Sequence, residues 1–480
     1  DGEWGLVVED ERTGTISCVT DHVGTHPVFI AEAADGVAVA SHLPRLVGEA
    51  RLGLDEDRVA VFLSRGKKDL LQPLFAGARR LDARRFVTVD ATGAASEHVW
   101  AEWDRTPENP PDFDELRDLI LGAIACESAS LGTPIGATLS AGLDSSVLCV
   151  ALKDTPGFRA YSIDAGPGVD NETVEIDETV RLTGLRHTYV PAAFGLDELN
   201  ALVDACGEPI RELKSLSTMH SCAVRAKSDG MRSFVLGLGP DMIFAGAQML
   251  VIPYLHGLVR RGRFAELARA LPGLAPYQGA GLAGILPRYL HAVLDAARHE
   301  GELRLPGRPD SAAHLKPAFA RANPLSRPID LKSFIARLLS VVAISSSVRA
   351  LETLTGLEVA APLYSRRLAA YTLTRDPRHF MRGGAGKAMM RKALETVLPR
   401  HVAWAKGKKK VPHRPVTAIV FAPEAAAPIE AALGSSAVLR RMLATDLVED
   451  FRRCRAARRD AEFWVRCVQV ARLERLALSR

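Results

Sequence analysis

The sequence contains no Cys-x-x-Cys pair. Its seven cysteines, Cys18, Cys126, Cys149, Cys206, Cys222, Cys454 and Cys467, are odd in number and widely spaced, which argues against a disulfide framework or a zinc site and for reduced thiols. No uninterrupted apolar run reaches membrane-spanning length and no signal-peptide pattern opens the chain, so a cytoplasmic protein without a membrane span is expected. The Gly-Lys-Ser/Thr end of a Walker loop is missing, which removes the main support for a kinase or GTPase. Internal repeats and long low-complexity runs are missing too. A net charge of +4 implies no general affinity for nucleic acid, and the basic run Lys406 to Lys410 has no interleaved aromatic beyond Trp404. What is present is 480 residues with a 47% apolar share, enough for two or three domains with real cores.

The first hundred residues read as β-rich, with strands expected at Trp4–Val8, Ile16–Thr20, Pro27–Ala31, Val37–Ala40 and Phe86–Val89 between Gly, Asp and Thr turns. The prolines of Arg105-Thr106-Pro107-Glu108-Asn109-Pro110-Pro111 deny both helix and central strand, and a helix follows over Phe113–Ala129. The expected division is therefore a domain over 1–105 and another over 112–480. From residue 131 strands alternate with helices: strands at Phe158–Ile163, His187–Val190 and Phe234–Leu236, helices near Glu172–Leu182 and Leu196–Ala205. That alternation predicts an α/β fold, a parallel sheet wrapped by helices. After about residue 245 the text is almost wholly helical.

The most telling segment is Leu139-Ser140-Ala141-Gly142-Leu143-Asp144-Ser145-Ser146. Ile135, Ala137 and Leu139 lie on one side of a strand pattern, and Val147, Leu148, Val150, Ala151 and Leu152 continue as an apolar helix. The turn between them sits at a helix N-terminus, where unpaired N–H groups, the helix dipole and the Ser hydroxyls attract phosphate oxygens. Asp144 belongs in an anion site if a magnesium ion bridges it to phosphate.

This segment resembles the PP-loop of the ATP pyrophosphatases, in the longer form found in the asparagine synthetase family, with Ala141 where that family usually has glycine. Leu236-Gly237-Leu238-Gly239-Pro240-Asp241 resembles the family's second glycine loop, with Met242 in place of its glutamate. The stretch Gly356 to Leu368 is a degraded match, Arg382 to Ala393 a closer one, and Leu398-Pro399 to Lys408 matches a further element. The resemblance implies an α/β, parallel-sheet PP-loop synthetase domain of adenine nucleotide α-hydrolase type with a helical C-terminal half. It implies ATP contacts from Leu139, Ser140, Gly142, Asp144, Ser145, Ser146, Ile163 and Gly237, and magnesium on Asp144 and Asp241. Its candidate catalytic residues are Lys408, with Lys406, Lys409 and Lys410 open as alternatives, together with Lys387 and Glu352. The chemistry is attack of a carboxylate on the α-phosphorus of ATP, then capture of the acyl-adenylate by an amine; fixed cations favour both steps.

Asp1 to Leu6, Asp21 to Phe29 and Val39 to Pro44 resemble the later half of a glutamine amidotransferase domain. The expectation is a partial, inactive domain of that kind, since Cys18 lies in a strand pattern and cannot replace a nucleophile whose own α-amine acts as base. An amine carried by the substrate fits best. Lasso-peptide cyclase is the leading reading, a natural-product enzyme that adenylates a precursor-peptide side chain and closes a macrolactam, working beside a leader-binding protein and a leader peptidase. A β-lactam synthetase with a small amino-acid-derived substrate, or a glutamine- or ammonia-dependent asparagine synthetase, is the alternative. Outside this class stand a tRNA-acting PP-loop enzyme and a non-catalytic synthetase-like scaffold.

Overall fold

The computed structural model describes residues 2–33, 36–65, 72–106, 110–164, 166, 172–210, 212–246, 250–274, 282–299, 302–304, 314–316, 319, 326–328, 330–339, 345–382, 385–405 and 416–479. The first hundred residues form two antiparallel sheets. One has the order β1 (Gly5–Asp10), β2 (Thr15–Thr20), β6 (Arg85–Val89), β7 (Ala95–Val99); the other has β4 (Gly36–Ala40), β3 (Phe29–Ala33), β5 (Arg79–Arg80). Side chains alternate across β3 as a strand requires. Ile30 joins Cys18, Leu81, Val87 and Val89 in a small core, while Phe29 and Ala31 turn toward the main one. The five expected strands are present to within two residues. Strands β5 and β7 and the helices α1 (Leu43–Glu49) and α2 (Glu56–Arg65) carry no equally clear alternation and were not expected.

The helix α3 (Phe113–Ala129) has its predicted limits. Its start is fixed by Asp112, whose carboxylate accepts from the N–H groups of Asp114 and Glu115, satisfying first-turn donors left over by the helix. Beyond it comes a five-stranded sheet in the order β10 (His187–Pro191), β9 (Arg159–Asp164), β8 (Ile135–Thr138), β11 (Ser233–Val235), β14 (Glu358–Ala360). Every pairing in it is parallel. Its crossovers carry α4 (Leu143–Leu152), α5 (Thr173–Thr183), α6 (Leu196–Cys206), α7 (Leu213–Ser228) and the single turn α8 (Pro240–Ile243), so the chain has the α/β architecture the alternation predicts.

Strand β14 and α7 are additions to the expected elements. Two short antiparallel pairs, β12 (Glu302–Arg304) with β13 (Ser326–Pro328) and β15 (Met381–Arg382) with β16 (Ala385–Gly386), also interrupt the otherwise helical second half. Its last helix, Ala461–Leu478, is buried along most of its length. One continuous core contains Phe29, Leu46 and Phe75 from the first hundred residues together with Ile135, Phe234 and Phe451. Among the described residues no helix is long and apolar enough to cross a membrane.

Candidate active site

Strand β8 ends at Thr138 and α4 begins at Leu143, so Ser140 to Gly142 form the turn and Asp144, Ser145 and Ser146 lie in the first helical turn. The serines shape this turn. Ser140 N–H donates to Ser145 Oγ at 3.0 Å, the two hydroxyls are 2.8 Å apart, and Gly142 N–H donates to Ser140 Oγ at 3.2 Å. The first intrahelical bond runs from Ser146 N–H to Gly142 O (3.2 Å). The N–H groups of 143–145 precede it and point out of the helix end, as an anion cradle requires. Ala141 is not among the residues with positive φ, so alanine sits where the family has glycine without backbone strain. Its N–H donates to Glu172 Oε2 at 2.9 Å.

The second glycine loop lies directly beside this turn. A Cβ at Gly237 would come within 2.9 Å of Ser145 N and 3.0 Å of Asp144 C, and one at Gly239 (φ +114°) within 2.7 Å of Leu363 O. Glycine at both positions lets three loops meet. Pro240 then starts α8, and Asp241 in its first turn faces Asp144 across a shared cation. That cation is Lys387: its Nζ lies 2.5 Å from Asp144 Oδ2 and 2.7 Å from Asp241 Oδ1, with 11% of the side chain exposed. Burial alone would lower the lysine's pKa, but the charges and hydrogen bonds of Asp144 and Asp241 outweigh it and hold the ammonium protonated above its ordinary range.

Lys387 reaches this point from the end of the β15–β16 hairpin, with φ at +62°. Its N–H donates to Phe244 O (3.1 Å). Arg391 donates to Gly386 O (3.0 Å) and Ala403 O (2.8 Å), fastening the hairpin to the short helix Arg400–Ala403. A Cβ at Gly246 would fall 2.1 Å from Lys387 Cε and 2.5 Å from Asp241 Oδ1. Gly246 is thus the floor under the lysine. Neither it nor Glu172 was among the expected site residues: Gly246 follows the second loop by five positions, and Glu172 opens the α5 pattern, where it reads as an ordinary first-turn acid.

Leu139, Ser140, Gly142, Asp144, Ser145, Ser146, Gly237, Asp241 and Lys387 are thus brought together. Ile163, near the end of β9, borders a neighbouring cavity of about 570 Å³ with Phe194, Leu196, Ser221, Ile419 and Pro428 on its other walls. Glu352 sits elsewhere. Its Oε1 accepts from Val359 N–H (3.0 Å), and its Oε2 pairs with Arg349 Nη1 (2.6 Å) while Arg349 Nη2 donates to Val359 O (3.0 Å). The pair closes the outer edge of β14, and burial raises the Glu352 carboxyl. Lys406 to Lys410, including Lys408, lie outside the described residues.

The asparagine synthase family model matches residues 115–474. The chain belongs to the asparagine synthase family. No curated protein gives a significant match to it. The asparagine synthase match spans both glycine loops, the five-stranded sheet and Lys387, and it supports an ATP-dependent synthetase that forms amide C–N bonds.

The donor set fits a nucleotide: the turn at the α4 N-terminus supplies an anion cradle. Asp144 and Asp241 converge on one cation, Lys387, and two carboxylates so placed have the chemistry to hold a divalent ion together with phosphate oxygens.

Proposed function

We propose that this asparagine synthase-family chain adenylates a carboxylate with ATP, releasing pyrophosphate, and passes the acyl group to an amine carried by the same substrate. The most specific form of the reading is macrolactam closure in a lasso-peptide precursor. The observation that carries the first step is the meeting of Asp144, Asp241 and Lys387 beside the α4 N-terminus.

In this reading the first-turn N–H groups of α4 and the hydroxyls of Ser140 and Ser145 bind the phosphates. Lys387 offsets charge that builds on the leaving pyrophosphate. Asp144 and Asp241 would hold magnesium, which when bound would offset the phosphate charge that repels the attacking carboxylate. The peptide class rests on the likeness of residues 398–404 and of the arginine-rich tail to that branch. A leader-binding protein and a leader peptidase would be its working partners.

A scaffold reading loses ground because Asp144, Ser145, Asp241 and Lys387 are all retained, with Lys387 bridging the two aspartates and Ser145 bonded to Ser140 in the phosphate turn. The deciding experiment is mass spectrometry of ATP-fed reactions with candidate core peptides. AMP together with loss of one water from the peptide supports the cyclase. AMP with asparagine made from aspartate and ammonia restores a plain synthetase, and no AMP with any carboxylate favours the scaffold.

A further inference from the structure

Lys387 stands where the proposed metal would stand. Its Nζ is in contact with one oxygen of Asp144 and one of Asp241, at 2.5 and 2.7 Å. A divalent ion held by those same oxygens would meet the ammonium at contact distance, where like charges repel strongly. On those two oxygens the two cations compete.

The lysine is delivered to this point by its backbone and is not a loose side chain that happens to fold inward. Lys387 adopts φ +62° and, across from it, Ala245 adopts φ +53°; both are left-handed conformations that a non-glycine residue holds only where surrounding contacts enforce them. The bond from Lys387 N–H to Phe244 O, the pairing of Met381 with Gly386 and the packing of the side chain on Gly246 hold the arrangement. Two facing carboxylates need a cation even when no substrate is bound, and the fold supplies one.

We infer that Lys387 is an internal substitute for the divalent cation: without nucleotide it neutralises Asp144 and Asp241 and keeps metal out, and it moves onto the phosphates when ATP brings the metal in. The inference rests on the proposed metal role of the two aspartates. Its consequence is strong synergy, with little metal bound alone and tight binding only in the presence of nucleotide.

The test is titration of Mn²⁺ into the purified full chain, read by the electron paramagnetic resonance of free Mn²⁺, with and without α,β-methylene-ATP, the Mn²⁺ held by the same nucleotide concentration without protein being subtracted. Wild type should bind Mn²⁺ at least tenfold more tightly with the nucleotide than without it. Lys387→Met should bind Mn²⁺ alone at least tenfold more tightly than wild type, and Lys387→Arg should not. Adding Asp144→Asn to Lys387→Met should abolish the gained site. Lys387→Gln serves if the Met variant does not fold, and the wild-type comparison needs no variant.

Equal Mn²⁺ affinity with and without nucleotide in wild type overturns the inference, as does an unchanged affinity in both neutral variants. If wild type with nucleotide binds no Mn²⁺ and neither neutral variant does, the metal role of the aspartates fails and the inference with it. Tight nucleotide-linked binding in wild type, with no gain in the variants, defeats the inference alone.

Discussion

Arg80, at the end of β5, points its guanidinium at Glu208, just beyond α6, with Nη2 2.6 Å from Oε2 and side chains 4% and 1% exposed. The Ser346 hydroxyl donates to the same carboxylate oxygen at 2.6 Å, and the Phe29 ring lies 5.0 Å from the guanidinium carbon. This desolvated ion pair pins the first hundred residues to the synthase region. Losing one partner leaves a buried charge uncompensated, so Arg80→Met is expected to lower stability by about 3–5 kcal/mol in denaturant unfolding. Arg80→Met with Glu208→Leu should recover a large part of the loss. A single variant within 1 kcal/mol of wild type would show that the pair does not carry the junction.

The parts of the fold legible in sequence are those encoded locally. The helix Phe113–Ala129 kept its limits because prolines precede it and Asp112 caps it. The strand–turn–helix of the phosphate loop has the same character. Strand β14 is different: its three residues, Glu358 to Ala360, become a strand by pairing with β11 and by the clamp of Arg349 and Glu352 on Val359, contacts that no local pattern announces. The site divides the same way. Asp144 and Asp241 are readable from glycine loops, whereas their bridging by Lys387 joins positions 243 residues apart and depends on a left-handed backbone at a lysine.

Asp144 and Asp241 each face the shared cation, and each would give up a charge on conversion to the amide. Asp144→Asn and Asp241→Asn are expected to reduce ATP–pyrophosphate exchange at least a hundredfold, a loss of about 2.7 kcal/mol or more of transition-state stabilisation. Circular dichroism should show both variants folded. Full exchange in either would remove that residue from the chemistry.

Gly237 has no room for a methyl group, because its Cβ would press on the backbone of Asp144 and Ser145. Gly237→Ala should therefore push the first turn of α4 away from the second loop and misplace the phosphate donors. A fall of tenfold or more in kcat/KM for ATP is expected, carried mainly by KM if the donors bind ground and transition states alike. An unchanged KM and rate would mean the loops can separate without cost.

Glu3 gives a pH signature. Its Oε1 accepts from Ala361 N–H at 3.1 Å, beside the end of β14. Burial pushes its carboxyl from 4.5 up to about 7; Glu127 adds to the rise, and the Ala361 N–H and Arg349 oppose it. In the window between these values the folded state binds more protons than the unfolded chain. Stability from this group is therefore full below pH 4.5 and is lost as the pH rises through 7. Gln, an uncharged isostere that keeps the acceptor, should match wild type at pH 4 and exceed it at pH 8. The expected gain is on the order of 3 kcal/mol, at 1.36 kcal/mol per pH unit. Denaturant unfolding of wild type and Glu3→Gln across pH 4–8 measures it, and the comparison cancels every other titrating group. Parallel curves would show that Glu3 titrates alike in the folded and unfolded chain.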